Sequence, residues 1–129
     1  MGKKLVALFA LVVLMGLMTG CVVQSQPTKV GNQVTMGPNN YISGDTITIK
    51  KGQTITFVDD TSTGTTHILV IGLNGAPKAE AGAADFGASG HTFQAGQSWV
   101  SPPWNTEGVF DVTCTIHPTT MNLKVTVTA

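Results

Sequence analysis

From Asp45 to the C-terminus the apolar residues recur every second position, in short runs separated by Gly, Pro and Asn. That period puts alternate side chains on one face of an extended strand, and it cannot form the apolar stripe of a helix. Asp45–Lys50 alternates Ile47 and Ile49 with Thr and charge, Lys51-Gly52 turns the chain, and Gln53–Val58 repeats the pattern with Ile55 and Phe57. Thr65–Gly72 is a mostly apolar run that reads as a buried strand. His91–Gln94, Gln97–Val100, Gly108–Cys114 and Met121–Thr128 complete the set. Phe110, Val112 and Cys114 share one face, as do Leu123, Val125 and Val127. About seven short strands with closely spaced turns predict an all-β, antiparallel Greek-key β-sandwich. Residues 72–90, rich in Ala and Gly, read as an irregular loop. Asp59-Asp60 and the residues up to Gly64 read as a solvated turn.

Composition removes several alternatives. Of 129 residues only 11% are charged, too few for a disordered chain or a coiled coil. The seven cations, all Lys, balance seven acids. With no basic patch, the chain is expected to bind no nucleic acid. No Ser-His-Asp spacing, phosphate-binding glycine loop or paired carboxylates suggest catalytic turnover, so an enzyme is not expected.

The N-terminus reads as an address. Lys3 and Lys4 precede the apolar run Leu5–Met18, which is shorter than a membrane span. It ends in Leu17-Met18-Thr19-Gly20-Cys21, which resembles the bacterial lipoprotein lipobox, with Met18 where Leu is more usual. The resemblance implies a signal peptide over residues 1–20, lipidation of Cys21, and anchoring to the outer face of the cell membrane. Residues 21–32 then form the lipidated N-terminus and a flexible tether, and residues 33–129 the domain. Without residues 1–20, five Lys face seven acids, a net charge of −2. Cys114 would then have no disulfide partner in a compartment that favours disulfides.

Cys114 sits instead in Cys114-Thr-Ile-His117-Pro-Thr-Thr-Met121. A thiolate, an imidazole and a thioether fall in the loop joining the last two strands, where a hairpin brings its ends together. Soft sulfur with imidazole selects copper, and two His, one Cys and a weak axial Met define a blue-copper site. His67, at the start of the buried strand, is the candidate second imidazole. Zinc also accepts Cys and His, but Met suits it poorly. Met36 is a weaker candidate sulfur, expected in the core, and His91 is expected at the surface.

Across roughly residues 33–128 the chain resembles the cupredoxins, the type 1 blue-copper family of plastocyanin, amicyanin and pseudoazurin. The resemblance rests on Lys50–Phe57, on the isolated His67, and on Cys114-x-x-His117 followed by Met121. It implies His67, Cys114 and His117 as strong ligands of one copper ion and Met121 as the long axial ligand. His117-Pro118 is most similar to the amicyanin loop, with a slightly longer stretch before Met121. Ile68 stands where the family often has an Asn that ties the ligand loops together; Thr65 or Thr66 are the candidate substitutes. The resemblance further implies a monomer that shuttles single electrons between extracytoplasmic or membrane redox proteins, with the His117 edge as the port. The alternative is a copper carrier without a redox role, delivering copper to another protein.

Overall fold

The computed structural model describes residues 31–60 and 64–129. Nine strands lie within them, in two sheets. The smaller sheet has the order β1 (Gln33–Met36), β3 (Thr56–Asp59), β7 (Ser98–Val100). The larger runs β2 (Thr46–Lys50), β9 (Asn122–Thr128), β8 (Gly108–Cys114), β4 (His67–Leu73). Beyond β4 lie β5 (Ala76–Pro77) and β6 (His91–Phe93), paired with its two ends.

The sandwich expected from the alternation is present, with two differences. Two strands are added: β1 at the start of the domain, and the two-residue β5 inside the Ala/Gly-rich segment. Two pairings are parallel, β1 with β3 and β2 with β9, while the other pairings are antiparallel. Both parallel contacts join strands that arrive from separate hairpins, a tertiary arrangement that turn chemistry alone does not specify.

The inward faces match the sequence pattern. Ile47, Ile49, Leu123, Val125 and Val127 from β2 and β9 join Phe110, Val112 and Cys114 of β8 in one buried cluster with Val34, Met36, Ile55 and Phe57. Met36 is core, as expected. Trp104 is fully buried beneath Phe86 and Phe110, its indole N–H donating to Ser101 Oγ. The aromatic interior gives the sandwich a stiff, close-packed body at the end where β4 and β8 present His67 and Cys114.

The expected signal peptide, residues 1–20, the lipidation site Cys21 and the expected tether as far as residue 30 lie outside the described residues; Asn32, read as the end of the tether, instead accepts from the Thr56 N–H and donates to the Thr54 carbonyl. Among the described residues no helix is long and apolar enough to cross a membrane.

Candidate metal centre

Three elements build the site. β8 carries Cys114 at its last position, facing the core. β4 runs antiparallel beside it, Leu69 opposite Cys114, and the Thr115 N–H donates to the Ile68 carbonyl at 2.9 Å. His67, two residues before Leu69, therefore lies on the same inward face. The third element is the loop from Cys114 to Met121. The Met121 N–H donates to the His117 carbonyl at 3.0 Å, and the Cys114 N–H to the Met121 carbonyl at 3.0 Å. The loop thus closes on itself and brings His117 back toward Cys114.

Two neighbouring segments hold that loop. Asn122 Nδ2 donates to the Pro118 carbonyl, and Asn122 Oδ1 accepts from the Asn74 N–H. Gly75, at φ 75°, lies so close to Pro118 that an added Cβ would sit 2.4 Å from the proline Cβ. On the other side the Thr120 hydroxyl donates to the Asn39 carbonyl.

The result is convergence. Cys114 Sγ lies 3.8 Å from His67 Nδ1 and 3.8 Å from His117 Nδ1. Each residue offers one ligand atom, all within 4.8 Å of one another, and the imidazole centroids are 5.1 Å apart. His67 and Cys114 are fully buried, whereas His117 is half-buried. Burial pushes the His67 pKa below the ordinary imidazole value; the Asp59 carboxylate opposes that shift and His117 adds to it. A buried thiol facing two ring nitrogens is a soft, mixed donor set suited to a metal ion. Met121 is fully buried, and its main-chain carbonyl accepts from the Cys114 N–H.

Solved structures share this architecture. A reduced amicyanin variant superposes with a TM-score of 0.57 at 21% identity, covering 75% of this chain and 81% of that one. Amicyanin from Paracoccus versutus gives 0.53 at 22% identity, over 75% and 80%. This is the cupredoxin fold. A purple cupredoxin from Nitrosopumilus maritimus also has it, at a TM-score of 0.56 and 19% identity, over 75% of this chain and 99% of that one. Scans of family models and of curated proteins return no match.

Within this cupredoxin fold the remaining expectations resolve differently. Ile68 is half-buried, and the segments carrying His67 and Cys114 are tied by its main-chain carbonyl. The Thr66 hydroxyl faces Gln94 Oε1 at 3.2 Å. His91, expected as a plain surface residue, is half-buried, stacked on Trp99 at 4.1 Å and edge-on to Phe93.

Asp59 is the clearest correction. It is no solvated turn residue: it ends β3 at 1% exposure, and its Oδ1 lies 3.9 Å from His67 Nε2. The signal was available, because continuing the Ile55, Phe57 alternation by one step points Asp59 inward.

Proposed function

We propose that the protein is a blue-copper electron carrier in which His67, Cys114 and His117 would hold one copper ion and Met121 would add a weaker sulfur donor. The observation that carries this reading is the approach of Cys114 Sγ to both imidazole Nδ1 atoms inside a buried pocket. The purple cupredoxin and the amicyanins with the same fold support it.

Bound there, a copper ion supplies a one-electron couple. The chain's own part is to hold the donors still. His67 and Cys114 sit on paired strands, and the loop carrying His117 is closed by main-chain hydrogen bonds. A ligand set that moves little between oxidation states keeps the reorganisation barrier low. Burial of His67 and Cys114 excludes water from that side. His117 is the half-exposed member, flanked by Ile116 at 44% exposure and by the half-buried Pro118. A small apolar rim around its edge suits brief docking of redox proteins, at the low end of interface size. The proposed role needs no catalytic turnover of a substrate, and a monomer suffices.

The proposed setting is extracytoplasmic. A signal peptide over residues 1–20, lipid on Cys21 and a tether over residues 21–32 would hold the domain of residues 33–129 at the outer face of the membrane, where redox partners reside. Mass spectrometry of the membrane-extracted protein tests this through the acyl mass on Cys21.

The deciding experiment titrates the metal-free protein with Cu(II) while recording visible absorption and EPR. An intense thiolate-to-copper band at one equivalent, bleached reversibly by a mild reductant and lost in Cys114→Ser, is the expected result. Binding of Cu(I) alone, or of Cu(II) without that band, would replace electron transfer by the carrier reading.

A further inference from the structure

The pocket around His67 contains a charge that holding a metal does not require. His67 Nε2 points away from Cys114 and finds no partner at hydrogen-bonding geometry among the described residues. Towards it lies Asp59 Oδ1, 3.9 Å away. Asp59 and His67 are both buried from solvent, at 1% and 0% exposure. The carboxylate is held by its strand: the Asp59 N–H donates to the Gln97 carbonyl at 2.8 Å, and β3 registers Asp59 opposite Met36 of β1. Burying a carboxylate is costly unless something compensates it. The positive edge of an imidazole bearing Nε2–H contributes to that compensation, and more strongly when Nδ1 shares its electrons with a cation.

Resting on the copper reading, we propose that Asp59 is a positioning residue for the metal centre, fixing His67 in its Nε2–H form and stabilising the oxidised site over the reduced one. The first effect follows from direction. An anion at Nε2 favours the proton there, which leaves the Nδ1 lone pair facing Cys114 Sγ. The second follows from charge. Oxidation adds one positive charge to a pocket whose dielectric is low, and a fixed carboxylate behind the ring lowers the energy of that added charge. Asp59 thereby biases the couple toward Cu(II), through His67 and without touching the metal.

The test replaces the carboxylate by its isosteric amide, Asp59→Asn, and compares it with the wild-type protein. In the metal-free state, long-range proton–nitrogen NMR reads the His67 tautomer: the wild type is expected as Nε2–H, and the variant as a mixture. In the copper-loaded state, the ratio of Cu(II) to Cu(I) affinity is expected to fall by about tenfold, equivalent to a rise of about 59 mV in reduction potential. The blue band is expected to remain, because the ligands are untouched. A folded variant with unchanged tautomer and potential would reduce Asp59 to a packing role and overturn the proposal. A wild-type protein that forms no blue band would overturn the copper reading itself, a result distinct from a normal wild type with an unresponsive variant.

Should Asp59→Asn not fold, redox-difference infrared spectroscopy on wild-type protein carrying 13C-aspartate gives the same answer. A carboxylate band that shifts with oxidation state and persists in Asp60→Asn supports the assignment; no shifting carboxylate band refutes it.

Discussion

Cys114 and Met121 are joined through their main chains, the Cys114 N–H donating to the Met121 carbonyl at 3.0 Å. The bond closes the Cys114–Met121 loop at its base, so the thiol and the start of β9 keep a fixed separation whatever the loop does at its tip. Met121 also fills space, being fully buried. These two roles can be separated. Met121→Leu nearly conserves volume and should cost less than about 1.5 kcal/mol, whereas Met121→Ala should cost about 2–5 kcal/mol. In the proposed copper protein both should keep the blue band, because the thiolate and imidazoles carry the binding, while the potential changes with loss of the thioether. Denaturant melts of the metal-free variants and voltammetry of the loaded ones check the two parts.

Gly75 sets the outer wall of the same loop. Its φ of 75° is unfavourable for residues with a Cβ, and that Cβ would come within 2.4 Å of Pro118 Cβ. Gly75→Ala should therefore destabilise the domain by about 1–3 kcal/mol and push the segment containing His117 outward. Thermal unfolding gives the first effect. A changed His117 ring signal in NMR, with that of His67 unaltered, gives the second.

Ser101 offers a control outside the proposed donor set. Its hydroxyl oxygen accepts from the Ile55 N–H at 3.0 Å and from Trp104 Nε1 at 3.2 Å, both in the core. Ser101→Ala leaves these buried donors without their acceptor, at about 1–3 kcal/mol for each unsatisfied group. The midpoint of denaturation should fall while the spectrum of the copper-loaded protein stays as in wild type.

Acid should weaken the metal-free protein through its imidazoles. Burial lowers the pKa of His67 and of His91 from the ordinary value of 6.5. The unfolded chain therefore binds protons that the folded chain refuses, and stability rises with pH wherever that difference exists. The contribution is complete above pH 6.5 and is lost as pH falls below it toward the depressed folded values. Denaturant titrations from pH 7.5 down to about 5 should show the decline, and His91→Gln should make it shallower.

The Cys114–Met121 loop was the most legible part of the molecule, because Cys114 and His117 are close in sequence and their approach needs only a local hairpin. The inward set of β2, β8 and β9 was equally plain, since strict alternation leaves one choice of face. β1 was missed for the opposite reason. Gln33-Val-Thr-Met carries only two apolar residues, and its strand exists through parallel pairing with β3, more than twenty residues away. Asp59 was misread because Asp-Asp-Thr-Ser composition suggests a solvated turn, whereas the strand continues through it and buries it. Composition describes the average fate of a residue type, and a strand's period overrides it when a buried partner such as His67 is present.

In the proposed electron carrier, Ile116 tests whether electrons leave by the His117 edge. It is exposed at 44%, one residue from a half-buried imidazole, and its side chain contributes little to the core. Ile116→Lys should leave stability within about 0.5 kcal/mol, as for most surface changes. If redox partners, or a second copy in self-exchange, dock over this rim, the new ammonium must be desolvated in the encounter. A penalty of about 1.4 kcal/mol slows exchange about tenfold. Stopped-flow electron transfer and NMR line broadening between the two oxidation states measure that rate. An unchanged rate, with the blue band and potential intact, would move the port away from His117 to another part of the surface.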